Sequence, residues 1–284
     1  MRKIIFTLLT ILIILYISLF ILGNSAEHKA EKLFYQATKA FEQIAVNPDV
    51  IPPHMAASIE KKLQTILEKY PKTNVAKIAH LAAAEFYVLT KKYDKAIEKL
   101  DIAINNYSED SGMVTRALFL KGNIYEKQNR WDMALASYKK LRDKYPDTAA
   151  GIKIPLYIAS HYKRAGQQQE ADGAFNEAVS FYEKIKNENA KKQLGYIASV
   201  LLMQTYLEFE KYEEAGRAVE DTINNYPSPA TYMQNLPIVE LIFVKKLQNP
   251  KKAIEIYKNV AKNSKDVKLK KLLETRINSL QAAK

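Results

Sequence analysis

Four histidines are the side chains of this sequence best suited to metal binding, because it contains no cysteine. They are His28, His54, His80 and His161. No two of them are separated by the roughly three to five residues that are typical of paired zinc ligands. The missing cysteines also exclude disulfides, thiolate nucleophiles and iron–sulfur clusters. We therefore predict no metal site, and we expect His80 and His161 to be structural or solvent-facing residues of helices.

Paired acids are the candidates for acid–base catalysis. Glu109-Asp110 and Glu213-Glu214 stand at predicted turns or helix caps, whereas catalytic carboxylates need environments that push their pKa values apart. Glycine-rich phosphate loops, the G-x-S-x-G elbow and the H-E-x-x-H motif are all absent from the sequence. The sequence thus predicts a protein that is not an enzyme and has no cofactor.

The positive charge of the chain is a further feature that suggests a ligand. The formal net charge is +12, but only seven of the 43 basic residues are arginines. Recognition of bases and phosphates favours the arginine fork, and the lysines are mixed with glutamates as on solvated helix faces. We predict no nucleic-acid partner.

Three residue classes recur five times in phase along the chain. Alanines recur at spacings of 38, 37, 44 and 38 residues: Ala96, Ala134, Ala171, Ala215 and Ala253. Nine residues before them stand Tyr87, Tyr125, Tyr162, Tyr206 and Val244. Four residues after them stand Leu100, Tyr138, Phe175, Val219 and Tyr257. Such a period predicts stacked helical hairpins, because one hairpin alone cannot bury its apolar stripe.

The second copy of the repeat indicates how each hairpin is built. Gly122 and Ala134 are small, as required where two helices cross closely. The turn between the helices carries Asn129 and Asp132, and we expect Asp132 to cap the second helix. Trp131 fills an apolar position at the turn, so we interpret it as a packing residue.

The stretch "ALFLKGNIYEKQNRWDMALASYKKLRDKYP" resembles a tetratricopeptide repeat. The positions that carry the resemblance are Leu118, Gly122, Tyr125, Ala134, Tyr138 and Pro146. The family's pitch is about 34 residues, and the longer pitch here resembles exported bacterial members. These include periplasmic cell-envelope coordinators and the outer-membrane β-barrel assembly lipoprotein, although this chain has no cysteine to carry a lipid and so is not itself a lipoprotein. An anchor followed by such repeats also resembles the ancillary subunit of the secretory translocon. The resemblance implies an all-α fold, a right-handed superhelical solenoid of hairpins.

Four segments organise the chain in this interpretation. Residues 1–25 form an anchor or signal segment, and residues 74–265 form five repeats, with Leu241 at the glycine position of the fifth. Residues 26–73 form a divergent N-terminal hairpin whose first helix has one apolar face: Ala30, Leu33, Phe34, Ala37, Phe41 and Ile44. Residues 266–284 form a C-terminal capping helix with the apolar residues Leu269, Leu272, Leu273, Ile277 and Leu280.

The resemblance also implies a binding groove, because the first helices of such repeats line the concave surface. The residues expected to face it are Arg116, Phe119 and Asn123 in the second repeat, and Lys153, Leu156, Ser160 and Lys163 in the third, with Tyr157 and Arg164 beside them. Their mixed aromatic and basic character predicts an acidic or carboxylate-ended peptide as the ligand. The alternative is that these are solvated residues, and that the partner binds the convex side or the N-terminal hairpin.

The N-terminal segment carries a membrane signal. Residues 4–22 are 19 consecutive residues without a charge, glycine or proline, which at about 1.5 Å per residue matches a bilayer core. Arg2 and Lys3 precede this run and predict a cytoplasmic N-terminus. A cleaved signal peptide is the alternative, because Gly23-Asn24-Ser25 has the small-x-small pattern of a cleavage site.

Together these features predict a scaffold of the bacterial cell envelope. The chain would cross the inner membrane once, hold its repeats in the periplasm and bind protein partners in protein export or outer-membrane assembly. If the N-terminus is cleaved, it would be periplasmic or secreted. The alternative function is recruitment or activation of a peptidoglycan enzyme. The sequence indicates neither the partner nor the oligomeric state.

The predicted topology is tested by a reporter fusion. Alkaline phosphatase joined after residue 284 should be active in cells, because it folds only outside the cytoplasm. A cytoplasmic reporter at the same position is the matched control. Activity of the cytoplasmic reporter alone would contradict the topology and the envelope role.

Overall fold

The computed structural model describes residues 25–46 and 51–282. In these residues the chain forms thirteen α-helices: α1 (Ala26–Ala45), α2 (Pro53–Lys69), α3 (Asn74–Leu89), α4 (Tyr93–Asn106), α5 (Ser111–Lys127), α6 (Trp131–Lys144), α7 (Ile154–Arg164), α8 (Gln168–Glu188), α9 (Gln193–Glu208), α10 (Tyr212–Asn225), α11 (Pro229–Val239), α12 (Pro250–Asn263) and α13 (Val267–Ala282). A 3₁₀ turn, Gly151–Lys153, precedes α7, and a π-helix, Glu240–Lys246, continues α11. The predicted all-α architecture of repeated hairpins is confirmed.

The chain divides into two compact units, one ending at Tyr145 and one beginning at Pro146. The first contains α1–α6 and the second contains α7–α13. Across the described residues, no helix is both long enough and apolar enough to span a bilayer. The predicted anchor, residues 4–22, lies outside the described residues and stays a prediction.

The repeating alanine marks the closest point of each hairpin. All five alanines of the repeat are fully buried, with 0% of their surface exposed. The second helix of every hairpin begins three residues earlier, at Tyr93, Trp131, Gln168, Tyr212 and Pro250. In the second repeat a Cβ atom on Gly122 would lie 2.3 Å from the Tyr138 ring. This crossing therefore requires small residues, as the sequence predicts.

The turn between the two helices is a Schellman motif in each of the first four repeats. In the second repeat Asn129 adopts a left-handed φ of 57°. The Arg130 N–H donates to the Tyr125 carbonyl at 2.9 Å, and the Asn129 N–H donates to the Glu126 carbonyl at 2.9 Å. The same left-handed position recurs at Lys91, Gly166, Glu210 and Gln248.

Asp132 does not cap α6, contrary to our expectation. The residue at the N-cap is Arg130, and no side chain caps this helix. Asp132 lies instead in the first turn, where its charge complements the helix dipole. Asp110, one of the paired acids, is a cap as predicted, because its Oδ1 accepts a hydrogen bond from the Met113 N–H at 2.9 Å.

The fifth repeat departs from the predicted alignment by one residue. The Asn249 N–H donates to the Phe243 carbonyl at 2.6 Å, whereas the register of the other repeats would place Val244 there. The π-helix inserts this extra residue. As a result Leu241, assigned to the glycine position, is 38% exposed, and Phe243 is buried.

The terminal elements cover the ends of the repeats. Ser25 caps α1, and the Glu27 carboxylate accepts hydrogen bonds from the N–H groups of Asn74 and Val75 at 3.1 and 3.3 Å. That contact ties α1 to the start of α3. At the other end α13 buries four of its five predicted apolar residues, but Leu272 is 53% exposed.

His80 is the one histidine of the described chain that is buried. It lies on α3 with its ring 6.0 Å from the Tyr107 ring. Burial, with a smaller contribution from the Lys99 ammonium, lowers the pKa of His80 below its usual value. The described residues offer its Nδ1 no hydrogen-bond partner. His80 is thus a structural residue, as predicted. It is neutral at pH 7 because its pKa is lowered, and it gains a positive charge only in more acidic solution.

This burial predicts a loss of stability in acid that depends on His80. Below the unfolded-state pKa of about 6.5, the unfolded chain binds a proton that the folded chain resists, so stability falls as the pH drops. His80→Leu should therefore lose less stability than the wild type between about pH 7.5 and about pH 5.5. Thermal unfolding of both proteins measures this difference. Equal losses in the two proteins would contradict the assignment.

Candidate functional site

The nine residues predicted to face a groove or to lie beside it belong to two different units. Arg116, Phe119 and Asn123 lie on α5 of the first unit. The other six lie in the second unit, on the turn before α7 and on α7 itself: Lys153, Leu156, Tyr157, Ser160, Lys163 and Arg164. Their role in partner binding stays a prediction.

The α5 residues make specific contacts within the first unit. The Arg116 guanidinium donates to the Glu85 carboxylate at 2.8 Å, and both side chains are partly exposed. Asn123 Oδ1 accepts a hydrogen bond from the Tyr138 hydroxyl at 2.7 Å, so only its amide N–H groups remain to meet a partner. Phe119 is 37% exposed, beside the Tyr138 ring.

The α7 residues differ in how accessible they are. Lys153 and Arg164 are exposed, whereas Leu156, Tyr157, Ser160 and Lys163 are half-buried. The Leu156 N–H donates to the Tyr182 hydroxyl at 3.1 Å. Lys163 donates to the Glu208 carbonyl and lies over the Phe209 ring, 5.3 Å from its centroid. We therefore expect Lys163 to stabilise its own unit rather than bind a peptide.

An apolar pocket in the first unit is a stronger candidate for a binding site. Its volume is about 150 Å³, and residues from α1, α2, α3 and α5 line it. Phe34, Phe41 and Ile78 are among its apolar lining residues, and Ile78 is 50% exposed. The Glu85–Arg116 ion pair forms the polar side of the pocket. An open apolar wall beside a paired charge suits a partner side chain.

Some of the residues that line this pocket were predicted from the sequence to lie on one apolar helix face. The apolar face of α1 was predicted, but its members divide into two groups. Ala30, Ala37 and Ile44 are buried, whereas Leu33, Phe34 and Phe41 are only half-buried. Of these three, Phe34 and Phe41 line the pocket. The contribution of Ile78 from α3 was missed, because nothing in its spacing distinguishes it from a core residue.

The two charged side chains that line the pocket, Glu85 and Arg116, are paired with each other. Within residues 25–46 and 51–282, no cluster of three or more His, Cys, Asp or Glu side chains is arranged to hold a metal ion. The ion pair at the rim is exposed to solvent, and such pairs contribute about 0–1 kcal/mol to stability. The arrangement is suited to binding. The expectation that the protein is not an enzyme stays a prediction.

Solved structures that match the chain are distant from it in sequence. They include a tetratricopeptide repeat protein from Parabacteroides merdae, with 14% identity, 90% of this chain and 88% of that chain covered, and a TM-score of 0.41. They also include BtubC (BKLC) from P. vanneervenii, with 14% identity, 92% coverage of both chains and a TM-score of 0.35. For the P58(IPK) TPR domain the identity is 17%, the coverage is 89% and 66%, and the TM-score is 0.33.

The sequence of the chain was also compared with curated proteins and with models of protein families. No curated protein matches the chain. The model of the tetratricopeptide repeat-like domain family matches residues 2–180, which is more than half of the chain. This range includes the first two repeats, α7 and the first part of α8, with the Schellman turns of the first three repeats. The protein therefore belongs to the tetratricopeptide repeat-like domain family.

Proposed function

We propose that this protein is a membrane-anchored scaffold that binds protein partners outside the cytoplasm through the apolar pocket of its first unit. Residues 4–22 hold it in the bacterial inner membrane, with the N-terminus in the cytoplasm. The repeats then serve protein export or outer-membrane assembly. Tetratricopeptide repeats generally bind proteins, so the proposal concerns where this chain binds and where it is located.

The pocket is the observation that carries the proposal. Its 150 Å³ is comparable to cavities of about 150 Å³ that accept one benzene-sized group. Ile78 is half exposed on its wall, and exposed apolar surface of this kind commonly marks protein contacts. A partner helix or peptide would place one aromatic or branched side chain between Phe34 and Phe41.

Two observations support a retained anchor. The family match begins at residue 2 and includes the apolar run, so that run belongs to the family domain. Cleavage after Ser25 would remove the side chain that accepts the His28 N–H at 3.1 Å. Because loss of such a cap costs about 0.5–2 kcal/mol, an intact Ser25 stabilises the N-terminus of α1.

The pocket is tested by photo-crosslinking in cells. A photoreactive amino acid at Ile78 should form a discrete product with a partner, because this side chain lies on the pocket wall. The same amino acid at Met133, an exposed apolar residue of α6 that does not line the pocket, is the matched control. Mass spectrometry then identifies the crosslinked protein.

A second substitution decides whether the pocket itself captures the partner. Ala82 lines the pocket, and Ala82→Phe should fill it and abolish the Ile78 product while helicity is retained. Persistence of the product in Ala82→Phe, or an equal product from Met133, would contradict the pocket as the binding site. A crosslinked protein found only in the cytoplasm would contradict the proposed location.

A further inference from the structure

A second cleft, separate in character from the apolar pocket, lies within the second unit. Its walls come from the turn before α9, the first turns of α9 and α11, and the end of α10. Its volume is about 770 Å³, within the range of about 300–1,000 Å³ for small-ligand sites. We call it the amide cleft. The residues that define it are Lys191, Lys192, Tyr196, Asn224, Asn225 and Gln234.

The charge of the amide cleft is positive. Lys191 and Lys192 are both exposed at its edge. Neither forms an ion pair with any residue in the described part of the chain, and no carboxylate lines the cleft. Lys186 and Lys252 of the same unit, by contrast, are paired with acids. An anionic ligand would complement this edge.

The amide side chains of the cleft are oriented by neighbouring residues. The Tyr196 hydroxyl donates to Gln234 Oε1 at 2.6 Å, and Asn259 Nδ2 donates to Asn224 Oδ1 at 3.1 Å. The amide N–H groups of Gln234 and Asn224 are therefore the ones left to donate. Asn225 has the opposite orientation, because its Nδ2 donates to Asp221 at 2.6 Å and its Oδ1 is left to accept.

Two tyrosine rings form the less polar part of the cleft. The rings of Tyr196 and Tyr226 meet edge to face, with centroids 5.5 Å apart, and both side chains are half-buried. Gly195 allows this arrangement, since a Cβ atom there would lie 2.6 Å from the Tyr226 hydroxyl. No Leu, Ile, Val or Met side chain lines the cleft, so it does not match the apolar side chains of a typical peptide.

We propose that the amide cleft binds an acidic saccharide chain. The carboxylates of the sugars would pair with Lys191 and Lys192, and their hydroxyls would both donate to Asn225 and accept from Asn224 and Gln234. The tyrosine rings would contact the C–H faces of the sugars. This site does not depend on the apolar pocket, so either proposal can fail without the other.

Titration calorimetry of the full chain with oligogalacturonate tests the site. A neutral cello-oligosaccharide of equal length is the control ligand. Lys191→Gln with Lys192→Gln should weaken binding about a hundredfold, since each charge-assisted bond contributes about a factor of ten or more. Lys251→Gln with Lys258→Gln removes the same charge from exposed positions of α12 and should leave binding unchanged. Tyr196→Phe should weaken binding without a change in charge, because Gln234 is no longer oriented.

Several results would overturn the assignment. An equal loss in both double variants would show only non-specific attraction to a basic chain. Equal affinity for the neutral saccharide would show that the lysines do not contribute to binding. Tighter binding of a polyglutamate peptide that the cleft variants also weaken would assign the cleft to acidic peptides instead. Absence of binding by the correctly folded wild type, judged by circular dichroism, would also overturn it.

Discussion

The close crossing of the two helices within each hairpin is the constraint on which the rest of the structure depends. At the alanine of each repeat there is no exposed surface, and at Gly122 there is no room for one additional carbon. Because protein interiors are close-packed, the large residue that faces the crossing, such as Tyr138, is fixed in turn. The Schellman turn then sets the angle at which the second helix leaves.

This packing explains why the predicted groove is only partly available for binding. Asn123 accepts the hydrogen bond of the Tyr138 hydroxyl within one hairpin, and Lys163 donates to the end of α9 in the next hairpin. Both polar groups are therefore already engaged within their own units. The two binding surfaces that we propose lie elsewhere in the units. One is the apolar pocket, where α1 and α2 meet the first repeat, and the other is the amide cleft, around the turns that flank α9 and α11.

The fold was predictable where one residue type decides the local geometry. Alanine spacing located all five hairpins, because only a small side chain fits each crossing. The turns were not predictable, since Lys91 and Glu210 adopt left-handed angles that usually favour glycine. Phe243 was missed because a π-helix shifts the register, and spacing alone does not reveal an inserted residue. The candidate sites depend on pairs such as Glu85–Arg116, which are distant in sequence and follow no local pattern.

A double-mutant cycle at the crossing tests this account most directly. Gly122→Ala should destabilise the protein by about 1–3 kcal/mol, because the added carbon meets the Tyr138 ring. In the Tyr138→Leu background the same change should cost much less, giving a coupling energy of about 1 kcal/mol or more. Gly173→Ala, where nothing lies within 4 Å of the added carbon, should instead stabilise the protein slightly. Costs that add to within about 0.5 kcal/mol would contradict the claim that this crossing determines the fold.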